Sequence, residues 1–434
     1  MTSLHHKHKS RKVLFLTYLF PPIANSGTRR SLEFANRLPD LGWTPLVVAG
    51  VPEPDELDEA LLEEVRPDTR VQRVPLGADQ LGTRIGRFLG SPRIGAGLSW
   101  RIRALWAIPD YCISWRAGAI AAAVDLHKTE GFDLIYASGW PWSSFLIAEE
   151  LSRRTGKPFV IDYRDLWGGM GAEYERARGI HRFIRMGKRL QQRVLTRADA
   201  VVTTTQTFAD MLSQRAGGRQ VHAITNGYAE RDFAGFGPTP ELPKDRPLSI
   251  SYTGIWRPGY GPDDLYAAIR ELKRQQPDLA RRLRVTMAGF RPGRAAEQGI
   301  DDIVEELGRV THAKALDIMK CSDALYLPVS GGLYDRAHLP GKIFEYVGSG
   351  RRIIASAEHG SEVRGVLEAV GLYRAVVPGD IAGLSGILKD LVNGTGLSQF
   401  GQRDPAALSV YERGSQARAL AQVFEQLVAR NGLA

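Results

Sequence analysis

The 434-residue chain is long enough for two large domains or nearly three of ordinary size, and 43% apolar with 24% charged residues is an ordinary globular composition. Cys112 and Cys321 are the only cysteines, which excludes a disulfide scaffold and a cysteine-rich zinc site; the nine histidines form no HExxH or His-x-His pair in the body of the chain, so no metal is expected. The formal net charge is +9, and positions 1–235 hold 32 basic against 25 acidic residues while the remainder holds 25 against 23.

In chain order, residues 1–11 read as a disordered basic tail containing His5, His6 and His8. VLFLTY, which follows, is too short for a signal-peptide core, and no run of about 20 apolar residues occurs anywhere. A cytoplasmic protein is expected, free or peripheral on the inner face of the plasma membrane. Short apolar strands are expected at Val13–Tyr18, Leu46–Val48, Leu134–Ser138, Phe159–Tyr163, Ala200–Thr204 and Val221–Ile224, with a helix at Ser31–Leu38. A Pro/Gly-rich linker covers 236–247. A second set of strands follows at Ser249–Tyr252, Arg284–Met287, Asp323–Leu327, Arg352–Ala355 and Tyr373–Val377. Helices at Asp263–Gln275, Ala313–Cys321, Lys342–Gly348 and Ile381–Val392 lie between them. Strands without polar alternation are buried on both faces, as in a parallel sheet covered by helices. The fold class is therefore α/β, with two Rossmann-like doubly wound halves at 12–235 and 248–404, and a C-terminal helix over 405–434 broken near Gly414.

Ligands of such sheets gather beyond the carboxyl ends of the strands. After the first strand stands FPPIANSGTRRS, where Gly27 is either a turn glycine or a place for close approach of an anion or sugar hydroxyl. The fourth strand ends in IDYRDLWGG; Arg164 either pairs with Asp162 or joins Asp165 at a sugar-binding edge. In the second half, SYTGIWRPG offers Gly254 for close backbone approach and Arg257 as a phosphate-binding cation, and Gly289 is either ligand space or a plain turn. The richest segment is LPVSGGLYDRAHLPGKIFEYVGSGRRIIAS. Its Pro340-Gly341 leads into a helix beginning near Lys342, whose amides and lysine suit a diphosphate. Glu345 lies on the same face as Lys342, either to accept ribose hydroxyls or to form an exposed ion pair.

Taken together, LPGKIFEYVGSGRRIIA, ADAVVTTTQTF, VHAITNGY, YLFPPIANSGTRR and DYRDLW make the chain resemble the GT-B glycosyltransferases, specifically the retaining family 4 of the bacterial polysaccharide and lipid-sugar type. The resemblance implies two Rossmann-like domains facing a central cleft, the first receiving the acceptor and the second a nucleotide-diphospho-sugar. It implies that Arg257 and Lys342 neutralise the diphosphate, Glu345 holds the ribose, and amides near Leu339 hold phosphate. It further implies that Gly27 lets its loop approach the donor and that Arg164 and Asp165 lie near the transferred sugar. One departure is plain: the family's second Glu, eight residues before Glu345, is here Ala337, with Asp335 and His338 nearby but out of register. No DxD-like carboxylate pair stands at a strand end, so no metal or other cofactor is expected to assist departure of the diphosphate.

Two basic stretches suggest a further partner. Residues 81–118 hold six arginines and one acid among Phe88, Trp100, Trp106, Tyr111 and Trp115; residues 173–197 hold eight Lys/Arg against Glu173 and Glu175. They suit an anionic membrane surface, or are solvated faces of core helices; no nucleic-acid motif accompanies them. Alternative functions on the same fold are a nucleotide-sugar epimerase, a pyridoxal-bearing phosphorylase and a non-catalytic nucleotide-sugar-binding protein.

Overall fold

The structure, a computed structural model, describes residues 10–52, 57–77, 108–167, 181–254, 261–289, 292–430 and 432. The chain divides into two compact units, one running to Thr225 and resuming at Gln416, the other spanning Asn226–Ser415.

The first unit is built on a seven-stranded sheet of β1 (Arg11–Leu16), β2 (Trp43–Gly50), β3 (Arg70–Val74), β4 (Leu134–Gly139), β5 (Phe159–Tyr163), β6 (Ala200–Thr203) and β7 (His222–Ala223). The strands are parallel throughout and lie in the order 3-2-1-4-5-6-7. β1, β4 and β5 are almost wholly buried, as their mainly apolar runs require. The order reverses between β1 and β4, so the crevice for a ligand lies beyond the carboxyl ends of those two strands. The helix Ser26–Arg37 starts where the Asn25 side chain accepts the Gly27 amide at 3.0 Å. It begins five residues before the expected Ser31, because Asn25 supplies the cap that a glycine-bearing first turn lacks.

The second unit holds a six-stranded parallel sheet of β8 (Leu248–Thr253), β9 (Leu283–Ala288), β10 (Val304–Gly308), β11 (Ala324–Pro328), β12 (Arg352–Ser356) and β13 (Tyr373–Val376). Its order is 10-9-8-11-12-13, with the reversal between β8 and β11. One face packs on Leu265, Ile269, Leu272, Leu384 and Leu388; the other packs on Ile343, Phe344, Val347, Val363 and Leu367. Each fully buried Leu, Ile or Phe contributes roughly 1.5–3 kcal/mol.

Three boundaries differ from expectation. Arg11 belongs to β1 rather than to a tail, and the Ser10 hydroxyl already bonds Gly42 and Thr44; residues 1–9 lie outside the described residues. The division between units falls at Thr225 rather than near 235, since Tyr228 and Phe233 pack with the core around Phe344 and the Tyr228 amide donates to Tyr411. The C-terminal helical region breaks between Ser409 and Arg413, ahead of Gly414, and Gly414 lies within the final helix Arg413–Arg430. From Gln416 that helix completes the first unit: Phe424 packs edge-on against Trp43 at 5.2 Å, and Glu425 accepts the Trp43 indole N–H at 2.8 Å. A C-terminal segment is thus the lid of the N-terminal core.

Candidate functional site

In the second unit, β8 delivers Tyr252, Thr253 and Gly254 to the reversal point beside β11. The helix Lys342–Ser349 starts there as expected, with Gly341 at its N-terminus and no side chain capping it. The Lys342 Nζ donates to the Tyr252 hydroxyl at 2.6 Å and stands 4.0 Å from the centre of that ring. A Cβ on Gly254 would lie 2.5 Å from the same Nζ, so only glycine lets the ammonium settle against the end of β8. Tyr346, one helical turn on, is fully buried; its hydroxyl accepts the Thr253 amide at 3.0 Å, and burial pushes the phenol up to about 12. The helix is thereby fixed to the strand that it serves.

Glu345 is half-buried on the same helix, and its carboxylate lies 3.8 Å from His312 Nδ1. The other imidazole nitrogen faces Asp232 at 3.4 Å. Lys342 and Glu345 therefore each have a partner from another element, a tyrosine for one and a histidine for the other. Leu339 is buried with Ile343 and Phe344, which anchors the turn ahead of the helix. Gly289 takes a φ of 113° and donates its amide to Gly308 at 2.7 Å, which carries the pairing of β9 with β10 one residue further. Arg257 lies outside the described residues.

Ala337 is buried, and neither neighbour takes its place. The Asp335 carboxylate accepts the Ser330 hydroxyl and the Gly332 amide, and burial pushes it up. The His338 ring stacks on Tyr334 with centroids 5.5 Å apart.

In the first unit, Gly27 and Arg164 meet. The Arg164 Nε donates to the Gly139 carbonyl at 2.9 Å and Nη2 to that of Trp140, while a Cβ on Gly27 would stand 1.3 Å from Nη1. Burial draws the Arg164 pKa down, and the nearby Asp165 and Asp162 carboxylates oppose that shift. Gly27 is thus a glycine that makes room for a guanidinium, within the first turn of its helix rather than ahead of it. An Arg164–Asp162 pair does not form. Asp162 faces the helix Ser26–Arg37, where Arg30 grips both its oxygens at 2.8 and 3.0 Å, and Tyr136 donates to it as well. Arg164, beyond the end of β5, reaches the carbonyls of Gly139 and Trp140 at the end of β4 instead. Burial works against the Arg30 charge, but Asp162 more than offsets it and the pKa rises. Tyr136 is held well above its ordinary value, by burial first and by Asp162 second.

Reading the sequence missed Tyr252, His312, Asp232 and Arg30. Tyr252 was within reach: it stands two residues before Gly254 and so on the same side of the strand. His312 and Asp232 come from distant elements and carried no local signal. Among the described residues no group of His, Cys, Asp and Glu is arranged to hold a metal, and no helix is long and apolar enough to cross a membrane.

Comparison with known proteins agrees with this architecture. Residues 27–227 match the family described as "Glycosyl transferase 4-like domain". No curated protein matches the sequence. Among solved structures, sucrose-phosphate synthase from Thermosynechococcus elongatus is similar over 97% of this chain and 100% of its own, with a TM-score of 0.66 at 16% identity. HepE from Anabaena, in complex with UDP, is similar over 96% and 100%, with a TM-score of 0.62 at 15% identity. A putative UDP-N-acetylglucosamine 2-epimerase from Listeria monocytogenes covers 96% and 97%, at 0.53 and 13%. The family match thus covers residues 27–227, and the chain has the GT-B fold of two parallel-sheet α/β halves.

Proposed function

We propose that the protein is a glycosyltransferase, moving a sugar from a nucleotide-diphospho-sugar to a lipid-linked or saccharide acceptor with retention of anomeric configuration. One observation carries the reading: the Lys342 ammonium is held at the carboxyl end of β8, against Gly254 and at the start of an uncapped helix. A cation and helix amides converging there suit the diphosphate of the donor. HepE, which shares the fold, was solved with UDP and with UDP-glucose.

In this reading, breaking the anomeric C–O bond leaves negative charge on the departing diphosphate. Lys342 and Arg257 neutralise it without a divalent cation, a stabilisation commonly worth about 2.7–4 kcal/mol per well-placed group. Glu345 accepts the ribose hydroxyls, amides near Leu339 hold phosphate, and Gly254 and Gly289 leave room for the donor to approach. Arg164, Asp165 and Gly27 belong to the end where sugar and acceptor meet, in a protein working at an anionic, cytoplasmic membrane face. Replacing Lys342 and Arg257 together by Ala is expected to abolish both transfer and hydrolysis of nucleotide-sugars; full turnover in that variant would refute the proposal.

The fold is shared with two UDP-N-acetylglucosamine 2-epimerases, which favours a second reading. An epimerase would convert its nucleotide-sugar with no acceptor present, and product analysis after acceptor-free incubation separates the two.

A further inference from the structure

The helix His181–Arg197 (HRFIRMGKRLQQRVLTR) contains no acidic residue. Arg185, Arg189, Arg193 and Arg197 follow one another at intervals of four, so they form one ridge along it, with Lys188 alongside. Like charges at this spacing repel each other, which destabilises a helix unless another charge compensates. Arg193 and Arg197 share Glu149, each at 2.8 Å. Arg185, Lys188 and Arg189 are exposed and have no ion-pair partner among the described residues. The ridge runs into a cavity of about 410 Å³ at the start of β5. Three helices contribute arginines to it: Arg116, Arg153, and the Arg193/Arg197 pair. Glu149 and Glu150 also line it, but each already holds two guanidiniums, Glu150 those of Arg153 and Arg154. Those two arginines hold the Glu150 carboxyl down at about 2, so it stays charged and keeps them in place. Arg116 has no ion-pair partner among the described residues.

From this arrangement we infer that the cavity is a seat for the phosphate of an anionic phospholipid headgroup, and that the arginine ridge lies along the membrane surface. Met186, 43% exposed between Arg185 and Lys188, separates this from a nucleic-acid surface. An apolar side chain among cations gains by entering the acyl boundary of a bilayer, and has nothing to gain from a phosphodiester backbone. The inference sharpens the membrane part of the proposed function, but it concerns a site at the opposite ends of the strands from the sugar-transfer residues.

The test is flotation of the full chain with vesicles of phosphatidylcholine alone and of phosphatidylcholine with phosphatidylglycerol. Binding is expected only to the anionic vesicles, and each of Arg116→Gln, Arg185→Gln and Arg189→Gln should weaken it about fivefold. None of these changes breaks an ion pair of the described structure. Glycerol 3-phosphate at millimolar concentration should compete for the wild type and lose that effect in Arg116→Gln, which separates a headgroup seat from diffuse attraction. Equal flotation with both vesicle types, unchanged binding in the three variants, or duplex DNA bound as sensitively to them as vesicles are, would overturn the inference. UDP titrated into the same variants reports on the second unit. For the wild type, UDP binding without selective binding to anionic vesicles overturns this inference alone, and selective vesicle binding without UDP binding overturns the donor reading alone.

Discussion

Lys342 and Tyr252 form one unit: the ammonium donates to the phenol oxygen at 2.6 Å while sitting 4.0 Å from the ring centre. A flexible lysine is thereby held at one point beyond the end of β8, where a free side chain of its length would sample many. Tyr252→Phe keeps the ring and loses the hydroxyl. Removing one such hydrogen bond is worth about 1 kcal/mol, so UDP affinity should fall several-fold in calorimetry.

Gly254→Ala is the sharper variant, because its Cβ would stand 2.5 Å from the Lys342 Nζ. The lysine end must move off Tyr252. UDP affinity is expected to drop about tenfold or more, some 1.4 kcal/mol or greater. An affinity equal to wild type would show that Lys342 does not bind the diphosphate.

Gly27→Ala tests the first unit. On helix propensity alone the change should stabilise by about 0.8–1.0 kcal/mol. The Cβ would instead overlap the Arg164 guanidinium, 1.3 Å from Nη1, so destabilisation of about 1–3 kcal/mol is expected in urea unfolding. Transfer should fall with it, while UDP affinity, set by residues of the second unit, should not change.

Arg30 and Asp162 are both buried, and the pair ties the helix Ser26–Arg37 to β5, with Arg30 also donating to the Thr225 carbonyl at 2.9 Å. Arg30→Met strands a buried carboxylate and is expected to cost about 3–5 kcal/mol. Arg30→Met with Asp162→Asn should lose less than Arg30→Met alone, which a double-mutant cycle in urea measures directly.

At alkaline pH the buried tyrosines should limit stability. Tyr346 is held at about 12 by burial, above the roughly 10 of an unfolded tyrosine. The folded state keeps the phenol neutral, so its contribution is complete below about pH 10 and is lost as pH rises through about 12. Tyr136, Tyr163 and Tyr326 shift in the same direction, burial being the largest cause in each. Tyrosinate absorbance from these residues should therefore appear together with loss of circular dichroism, and not before it.

What the sequence made legible follows burial. Phe159–Tyr163 and Asp263–Gln275 were foreseen to the residue because each carries a strong signal, a mainly apolar run in one and helical periodicity in the other. β3 and β10 were not foreseen. Both are edge strands, RVQRV and VEELG, whose polar, mostly half-buried side chains leave no apolar run. The Gly254–Lys342 approach was legible as two separate motifs, since a loop after a first strand and a helix start after a fourth point to one crevice. Arg30 was not. Arg29 and Arg30 are adjacent in sequence, and only the fold decides that Arg29 faces Glu64 at the surface while Arg30 is buried on Asp162.

The most direct measurement is calorimetric titration of UDP into wild-type protein and Lys342→Ala. The account predicts binding to the wild type and a loss of at least tenfold, about 1.4 kcal/mol, on removing the ammonium. UDP bound equally well by both proteins would contradict the placement of the donor diphosphate at Lys342.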